Sequence, residues 1–336
     1  MAARADGVLI LAGPTASGKT ELAIALAERF DAEIVGADSR QIYRGMPVGT
    51  AAPTDEQRAR VPHHLVAFLD PHERYSAARY VLDARAAIDA VRARGRRVIV
   101  AGGTGFYVRA LAGDVALDAA YDPAVRTRLA AEARIHPPEF LAAWLAVLAP
   151  ERAAAIAPND PYRITRALEI ALSGRARETA PAAHTPHPER VETQCHPKRV
   201  ETQCHPELVE GQREASHPLP SLRAGAIPFA KLVLDVEPGV LLERIERRVD
   251  GMLAAGFLEE AERVGSDAVA ADAVGYREAL DFLAGFSTAV ELRTQLIRFT
   301  RRYAKRQATW FRSEPGIVRV SAAQCEAAAR ERLGWA

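Results

Sequence analysis

One segment of the chain, GPTASGKT at residues 13–20, restricts the possible folds more than any other feature. It matches the pattern GxxxxGK[ST] and lies between an apolar strand-like run, Val8–Ala12, and a helical pattern, Glu21–Phe30. In that context the backbone N–H groups of the turn and the helix N-terminus form a cradle for an anion. The motif therefore predicts phosphate or diphosphate binding, although it does not identify the compound. The residues predicted to hold it are Gly13, Pro14, Thr15, Ala16, Ser17, Gly18, Lys19 and Thr20, with Thr20 also a candidate Mg²⁺ ligand.

Strand and helix patterns alternate after this motif. A buried run at Glu33–Ala37 follows the first helix, and Ser76 is placed to cap a second helix that stops at Gly95. Arg97–Ala101 then forms a third strand pattern, which ends in two glycines. This βαβ order predicts a parallel sheet.

The pattern changes near Asp122 to alanine-rich helices without strands. The pairs Asp122-Pro123 and Asp160-Pro161 each resemble an N-cap followed by proline at the first helical position, and Gly174 is predicted to end the second segment. A strand pattern returns at Lys231–Val236, and helical patterns follow around residues 241–264 and 289–311. We therefore expect a helical insertion within the α/β core.

The predicted fold class is α/β, a P-loop NTPase-like parallel sheet flanked by helices, with an all-helical insertion domain. We expect the first part of the core at residues 1–118, the helical insertion at 119–178 and the second part of the core at 229–336. Residues 179–228 differ from both, because residues 187–212 contain three copies of one unit, HPERVETQC, HPKRVETQC and HPELVEGQ. Their prolines and sparse apolar residues predict a disordered surface insert.

Overall composition excludes several classes of protein. The 44 basic and 43 acidic residues nearly cancel, so any surface for a polyanion must come from local clustering. The apolar run near the N-terminus is too short to span a membrane, and three cysteines do not form a disulfide framework. We expect a cytoplasmic protein that does not insert into membranes.

Two polar residues follow strand patterns at the edge where the phosphate loop is predicted. Asp38 comes after the second strand, where its carboxylate could be a Mg²⁺ ligand, a general base or a loop cap. Thr104 lies in the GGTG turn after the third strand, at the same edge of the sheet. Spacing alone does not decide among these roles.

A basic helical segment lies near the C-terminus. Between Arg293 and Arg312 there are seven basic residues and no acidic ones, and four of them share one helical stripe. A separate apolar stripe, made of Ile297, Ala304, Ala308 and Phe311, can pack on the core. The charge pattern fits either an RNA-binding surface or a solvated basic face.

Seven motifs follow one another along the chain: GPTASGKT (13–20), DSRQIYRGMPVGTAAPT (38–54), PHHLV (62–66), AGGTGFYVRAL (101–111), NDPYRITRALE (159–169), VGYRE (274–278) and KRQATWFR (305–312). In sequence and in order they resemble the motifs of bacterial tRNA dimethylallyltransferases. The resemblance covers nearly the whole chain except residues 175–228. It implies transfer of a dimethylallyl group from dimethylallyl diphosphate to N6 of the adenine on the 3′ side of a tRNA anticodon.

The resemblance also implies roles for individual residues. Asp38 would be the general base that accepts the adenine N6 proton, and Thr104 would position that amine or the diphosphate. Residues 13–20 would hold the donor diphosphate with Mg²⁺ rather than the triphosphate of ATP. The partner would be the anticodon stem-loop of tRNA, bound by a monomer. Implied tRNA contacts are Asp38, Ser39, Arg40, Gln41, Arg126, Tyr162, Arg163, Ile164, Thr165, Arg166, Asp272, Ala273, Val274, Gly275, Tyr276, Arg277, Lys305, Arg306, Gln307, Ala308, Thr309, Trp310, Phe311 and Arg312.

Other polar features receive a structural interpretation or stay open. We expect His63 and His64 to be structural, and the repeat explains the histidine and cysteine spacing within residues 175–228 without a metal. Arg244 and Arg248, four apart on a predicted helix, could approach the diphosphate or be solvated.

Three rival functions remain at this stage. A small-molecule kinase fits the phosphate loop alone. A prenyltransferase acting on free adenine nucleotides and a non-catalytic RNA-binding protein are the others. The kinase leaves the basic helix unexplained, and the complete phosphate loop with Asp38 argues against a non-catalytic protein.

Overall fold

The structure, a computed structural model, describes residues 7–115, 123–178 and 227–336. Six strands form one parallel sheet in the order β3-β2-β4-β1-β5-β6. The strands are β1 (Val8–Ala12), β2 (Ala32–Gly36), β3 (His63–His64), β4 (Arg97–Gly102), β5 (Phe229–Leu234) and β6 (Ile317–Val320). The predicted parallel α/β sheet is confirmed, and the short edge strands β3 and β6 are additions to it.

Fourteen α-helices occur in the described residues. They are α1 (Lys19–Phe30), α2 (Pro47–Thr50), α3 (Asp55–Arg60), α4 (Ala77–Ala93), α5 (Gly105–Ala112), α6 (Pro123–Ile135), α7 (Pro138–Leu148), α8 (Pro150–Ala154), α9 (Pro161–Glu178), α10 (Pro238–Ala254), α11 (Phe257–Val264), α12 (Tyr276–Leu283), α13 (Ala289–Arg312) and α14 (Cys325–Leu333). Short 3₁₀ turns cover Val269–Asp272 and Ala322–Gln324. No helix in the described ranges combines the length and hydrophobicity needed to cross a bilayer.

Helices cover both faces of the sheet, so its strands are buried on both sides. On β1, Val8 and Ile10 belong to the core shared with α4, α5 and α10–α13, whereas Leu9 and Leu11 belong to the core shared with α1 and α14. This two-sided burial explains why β1 is a continuous apolar run without alternation.

The signals that begin the helices are local. The Arg79 N–H group donates to Ser76 Oγ at 3.1 Å, which confirms Ser76 as the cap of α4. Thr288 and Glu291 form a capping box at the start of α13. The predicted apolar stripe of that helix is confirmed at Ala304 and Phe311, which are buried.

Residues 123–178 belong to a second compact unit, and the regular secondary structure of these described residues is all helical. Its small core contains Leu129, Leu141, Leu145, Ile164, Ala167 and Leu168. Asp160 accepts a hydrogen bond from the Arg163 N–H group at 3.0 Å, as expected of an N-cap.

The prediction that Gly174 ends the helix is wrong, because α9 continues to Glu178. A single glycine costs a helix only about 1 kcal/mol, which its neighbours can offset. The repeat-containing insert and Asp122 lie outside the described residues.

The backbones at the ends of β2 and β4 touch. A Cβ atom added to Gly102 would lie 2.0 Å from the Ala37 carbonyl oxygen, a distance at which backbone atoms would have to move. At Gly251, within α10, an added Cβ would meet no atom within 4 Å.

We predict that Gly102→Ala lowers the free energy of unfolding by at least about 1 to 3 kcal/mol, because the overpacked atoms belong to the backbone. Gly251→Ala is the matched control and should instead stabilise the protein by up to about 1 kcal/mol, since it improves helix propensity without a clash. Urea unfolding followed by circular dichroism measures both values. Equal stability of the Gly102→Ala variant and the unmodified protein would contradict the proposed backbone contact.

Candidate functional site

The phosphate loop connects β1 to α1 at the carboxyl edge of the sheet. Two of its residues adopt left-handed backbone conformations, Ala16 (φ 63°) and Gly18 (φ 88°), and no side chain caps the N-terminus of α1. Ser17 Oγ is buried and has no hydrogen-bond partner among the described residues. An anion in the loop could accept from this hydroxyl and from the amides at the helix start. The backbone of the turn and the unpartnered hydroxyl are compatible with an anion cradle, and anion binding itself stays a prediction.

Three cationic side chains surround the loop. Lys19 Nζ donates to the Pro14 carbonyl at 3.3 Å, and Arg244 Nη1 donates to the Ser17 carbonyl at 3.0 Å. Arg248, one turn further along α10, is close enough to Lys19 to lower its pKa. Arg244 contacts the phosphate loop and Arg248 interacts electrostatically with Lys19, so neither side chain is only solvated, and their approach to a diphosphate stays a prediction.

The charge of Lys19 is sensitive to its surroundings. Burial lowers the Lys19 pKa to about 8, Asp38 opposes this shift and Arg248 adds to it. Burial also lowers the pKa of Arg248, and Asp38 again opposes the shift. A carboxylate and two partly desolvated cations therefore share one site, with more positive than negative charge.

Asp38 and Thr104 lie together next to this site. The Arg40 N–H group donates to Asp38 Oδ1 at 2.9 Å, and the Ser39 N–H group donates to Thr104 Oγ1 at 2.9 Å. Thr104 precedes α5 but does not cap it with its side chain, because its hydroxyl is directed toward Ser39. Hydrogen bonds between Ser39 and Thr104 thereby join the Asp38 loop to the GGTG turn, and the Arg40 N–H group holds the Asp38 carboxylate within its own loop.

Helix α13 also reaches the site. Burial raises the pKa of Tyr303 and the Asp38 charge raises it further, while nearby Arg40, Arg306 and Arg248 lower it. The Arg306 guanidinium lies 5.6 Å from the centre of the Tyr303 ring. The sequence offered no signal for Tyr303, since one tyrosine in a basic helix does not reveal which way it faces.

Residues of the predicted RNA-contact segments in the core unit differ in exposure. Lys305, Thr309 and Arg312 are exposed, and Ala308 and Trp310 are partly buried. Gln307, Phe311, Ala273, Gly275 and Tyr276 are buried, while Asp272 and Val274 are partly exposed. Arg277 is exposed and its guanidinium lies 3.6 Å from the Asp272 carboxylate. Ser39, Arg40 and Gln41 are partly exposed.

The helical unit presents its own candidate contacts. Tyr162 and Arg163 are exposed at the start of α9, and Arg126 and Thr165 are partly exposed. Ile164 is buried in the core of that unit. Arg166 forms an ion pair at 2.9 Å with the buried carboxylate of Glu169.

His63 and His64 make structural contacts. His63 Nδ1 lies 2.7 Å from the Val61 carbonyl oxygen, and His64 Nε2 lies 2.7 Å from Glu33 Oε2. Arg94 also donates to Glu33, which is buried on β2. These contacts agree with the structural role expected from the sequence.

Comparisons with known proteins are consistent along nearly the whole chain. The family described as IPP transferase matches residues 41–314, and the family described as isopentenyl transferase matches residues 6–73. The tRNA dimethylallyltransferase of Anaeromyxobacter dehalogenans (strain 2CP-C) is 41% identical over 94% of this chain and 94% of its own length. That of Geobacter sulfurreducens is 39% identical over 92% of this chain and 90% of its own length.

Solved structures show the same relationship. The tRNA isopentenylpyrophosphate transferase of Bacillus halodurans superposes with a TM-score of 0.63 at 31% identity, covering 98% of this chain and 97% of that one. A eukaryotic dimethylallyltransferase acting on tRNA superposes with a TM-score of 0.69 at 24% identity, covering 97% of this chain and 77% of that one. At that identity the second likeness concerns the fold alone.

The lowered pKa of Lys19 leads to a prediction for anion binding. An anion held against Lys19 favours the charged ammonium, so binding takes up a proton wherever free Lys19 is neutral. Since the pKa is about 8, the affinity for inorganic diphosphate should level off below about pH 8 and fall as the pH rises toward 10.

Lys19→Arg is the control, because guanidinium stays charged throughout this range. Calorimetric titration of both proteins at several pH values cancels the titration of diphosphate itself. The affinity for diphosphate should fall more steeply with rising pH in the unmodified protein than in the Lys19→Arg variant. Parallel curves would show that Lys19 does not lose its charge in this range.

Proposed function

The chain belongs to the tRNA dimethylallyltransferase family and moves a prenyl group to tRNA, and we propose that its donor is dimethylallyl diphosphate. We propose as acceptor N6 of the adenine on the 3′ side of the anticodon, presented by the anticodon stem-loop. The observation that carries this proposal is that Asp38 interacts electrostatically with Lys19 and Arg248 while Thr104 is hydrogen-bonded to the Asp38 loop, at one edge of the sheet.

The cationic residues around the phosphate loop act on the negative charge that develops on the leaving diphosphate. During transfer a bond forms between adenine N6 and C1 of the prenyl group, the C1–O bond breaks, and diphosphate leaves with the electron pair. The negative charge on the leaving group grows, so Lys19 and the N–H groups at the start of α1 stabilise it. Arg244 and Arg248 add positive charge at the open side of the loop.

The acceptor needs a base. An exocyclic adenine amine is a poor nucleophile, and its attack is completed when N6 loses a proton. Asp38 is placed to accept that proton, because its carboxylate faces the same site as Lys19 and its loop is held by Thr104. A positioned general base contributes about 10²- to 10⁴-fold in rate. The adenine must leave its stack to reach this edge of the sheet.

We propose Mg²⁺ as the cofactor. The loop fits a hard cation, since the partly exposed Thr20 offers a hydroxyl oxygen near the predicted diphosphate. When bound, Mg²⁺ would neutralise part of the charge on the diphosphate. The phosphate loop alone would also suit ATP, so phosphoryl transfer from ATP to a small molecule would favour the kinase alternative.

We predict that Asp38→Asn lowers the single-turnover rate of prenyl transfer by about 10²- to 10⁴-fold, or about 3 to 5 kcal/mol of barrier. Asparagine retains an oxygen that can accept from the Arg40 N–H group, so the loop should keep its conformation. Affinity for tRNA should therefore change no more than a few fold. A rate near that of the unmodified protein in rapid-quench experiments with labelled donor would exclude Asp38 as the base.

The exposed side of α13 leads to a second prediction. Arg302 and Lys305 are both exposed, so changing them to alanine removes charge without disturbing the core. If both contact phosphates, the slope of log K against log salt should become shallower by about 0.7 to 0.9 per contact.

Arg293→Ala on the same helix is the matched control, because Arg293 is already paired with Asp250 at 2.6 Å. Its salt dependence should stay close to that of the unmodified protein. Filter binding of tRNA at several salt concentrations gives all three slopes. An unchanged slope in the Arg302/Lys305 double variant would place this side of α13 away from RNA.

A further inference from the structure

The side chain of Gln307 lies at the junction of three parts of the site. It extends from α13 and is buried, with 6% of its surface exposed. The Thr15 N–H group donates to Gln307 Oε1 at 2.8 Å, and Gln307 Nε2 donates to the Gly103 carbonyl at 2.9 Å. One amide therefore joins the basic helix to the phosphate loop and to the turn that carries Thr104.

This contact fixes the orientation of a peptide group inside the phosphate loop. The loop binds anions through N–H groups that point at the ligand. The Thr15 N–H group is not one of them, because it donates to Gln307. This bond restrains rotation of the peptide between Pro14 and Thr15, at the start of the loop.

The same contact depends on the glycine at position 103. A Cβ atom there would lie 2.3 Å from Gln307 Nε2, so the amide fits only because Gly103 lacks a side chain. Gly103 does not have a positive φ, so its backbone conformation does not itself require glycine. The close approach of Gln307 is a physical reason for glycine at this position.

We propose that Gln307 is a positioning residue for the donor diphosphate, and that through it RNA binding on the outside of α13 and donor binding in the phosphate loop influence each other. The inference rests on the proposed binding of diphosphate by residues 13–20. Gln307 is buried and both polar atoms of its amide are engaged, so it acts inside the protein, whereas Lys305, two residues earlier, is exposed. Coupling between two binding equilibria is reciprocal, so each ligand should strengthen the other by the same factor.

Gln307→Met tests this proposal, because methionine has a similar length and no amide group. The dissociation constant of Mg²⁺-diphosphate and the KM of dimethylallyl diphosphate should rise about tenfold, equivalent to about 1.4 kcal/mol. The affinity for tRNA without donor, and its salt dependence, should stay within twofold. Lys305→Ala is the matched control and should give the opposite pattern, with weaker tRNA binding and unchanged diphosphate binding.

A second variant, Gly103→Ala, changes the other partner of the contact between Gln307 and Gly103. Gly103→Ala should displace the Gln307 amide and reproduce the donor-specific defect, and it serves as the test if Gln307→Met does not fold. In the full chain, saturating Mg²⁺-diphosphate should increase tRNA affinity in the unmodified protein and lose that effect in the variant. Calorimetry and filter binding supply both measurements.

The possible outcomes separate the inference from the function on which it rests. If the unmodified protein binds Mg²⁺-diphosphate no better than Lys19→Ala, the proposed donor site is wrong and the inference falls with it. If the unmodified protein binds and the variant tested binds within twofold of it, the donor site stands and the role of Gln307 is excluded. Loss of tRNA affinity with intact diphosphate binding would show that Gln307 serves RNA directly.

Discussion

The candidate site depends on direct backbone contact between the ends of β2 and β4. The Ala37 N–H group donates to the Ala101 carbonyl at 2.8 Å, and the Thr104 N–H group donates to the Ala37 carbonyl at 3.1 Å. Asp38 is the residue after Ala37, and Thr104 is itself bonded to Ala37. Main-chain hydrogen bonds therefore position both residues independently of their side-chain contacts. Since β1 is the other neighbour of β4, the phosphate loop emerges beside them. Only a parallel sheet brings these strand ends to one edge.

Helix α13 serves this site because its two sides face different environments. Its exposed side carries Arg302 and Lys305, and its inner side carries Tyr303 and Gln307. The segment that follows the helix is fixed by a buried ion cluster, in which Glu314 accepts from Lys231 at 2.8 Å and from Arg109 at 2.9 Å. Lys231 also pairs with Asp114. Removing one partner would leave an uncompensated charge in the interior, which is strongly destabilising. The ion cluster therefore anchors the C-terminal end of α13, the helix that carries Arg302 and Lys305.

A second buried carboxylate positions the Asp38 loop. Glu260 is fully buried and accepts from the Val48 N–H group at 2.9 Å, the Gly49 N–H group at 2.7 Å and the Tyr276 hydroxyl at 2.6 Å. Burial and the neighbouring carboxylate raise the pKa of Tyr276, which keeps its hydroxyl protonated as a donor. Gln41 in turn donates to the carbonyls at the end of α2, at 3.2 and 3.0 Å. Hydrogen bonds thus connect the VGYRE segment to the loop that carries the proposed base.

The sequence alone determined the parallel sheet, the phosphate loop, Asp38 and the basic helix, because each follows from apolar periodicity or from a motif with strict backbone requirements. It did not determine the end of α9, because the helix-forming residues after Gly174 outweigh the cost of one glycine, or the edge strand β6, because four residues are a short signal. It also did not identify the internal contacts of Gln307, Tyr303, Glu260 and Arg248, although the spacing of Arg244 and Arg248 indicated a shared helix face. Glu260 is one of three glutamates within four residues, and nothing local distinguishes it. Only the tertiary structure selects it, because burial and hydrogen-bond partners arise where distant segments meet.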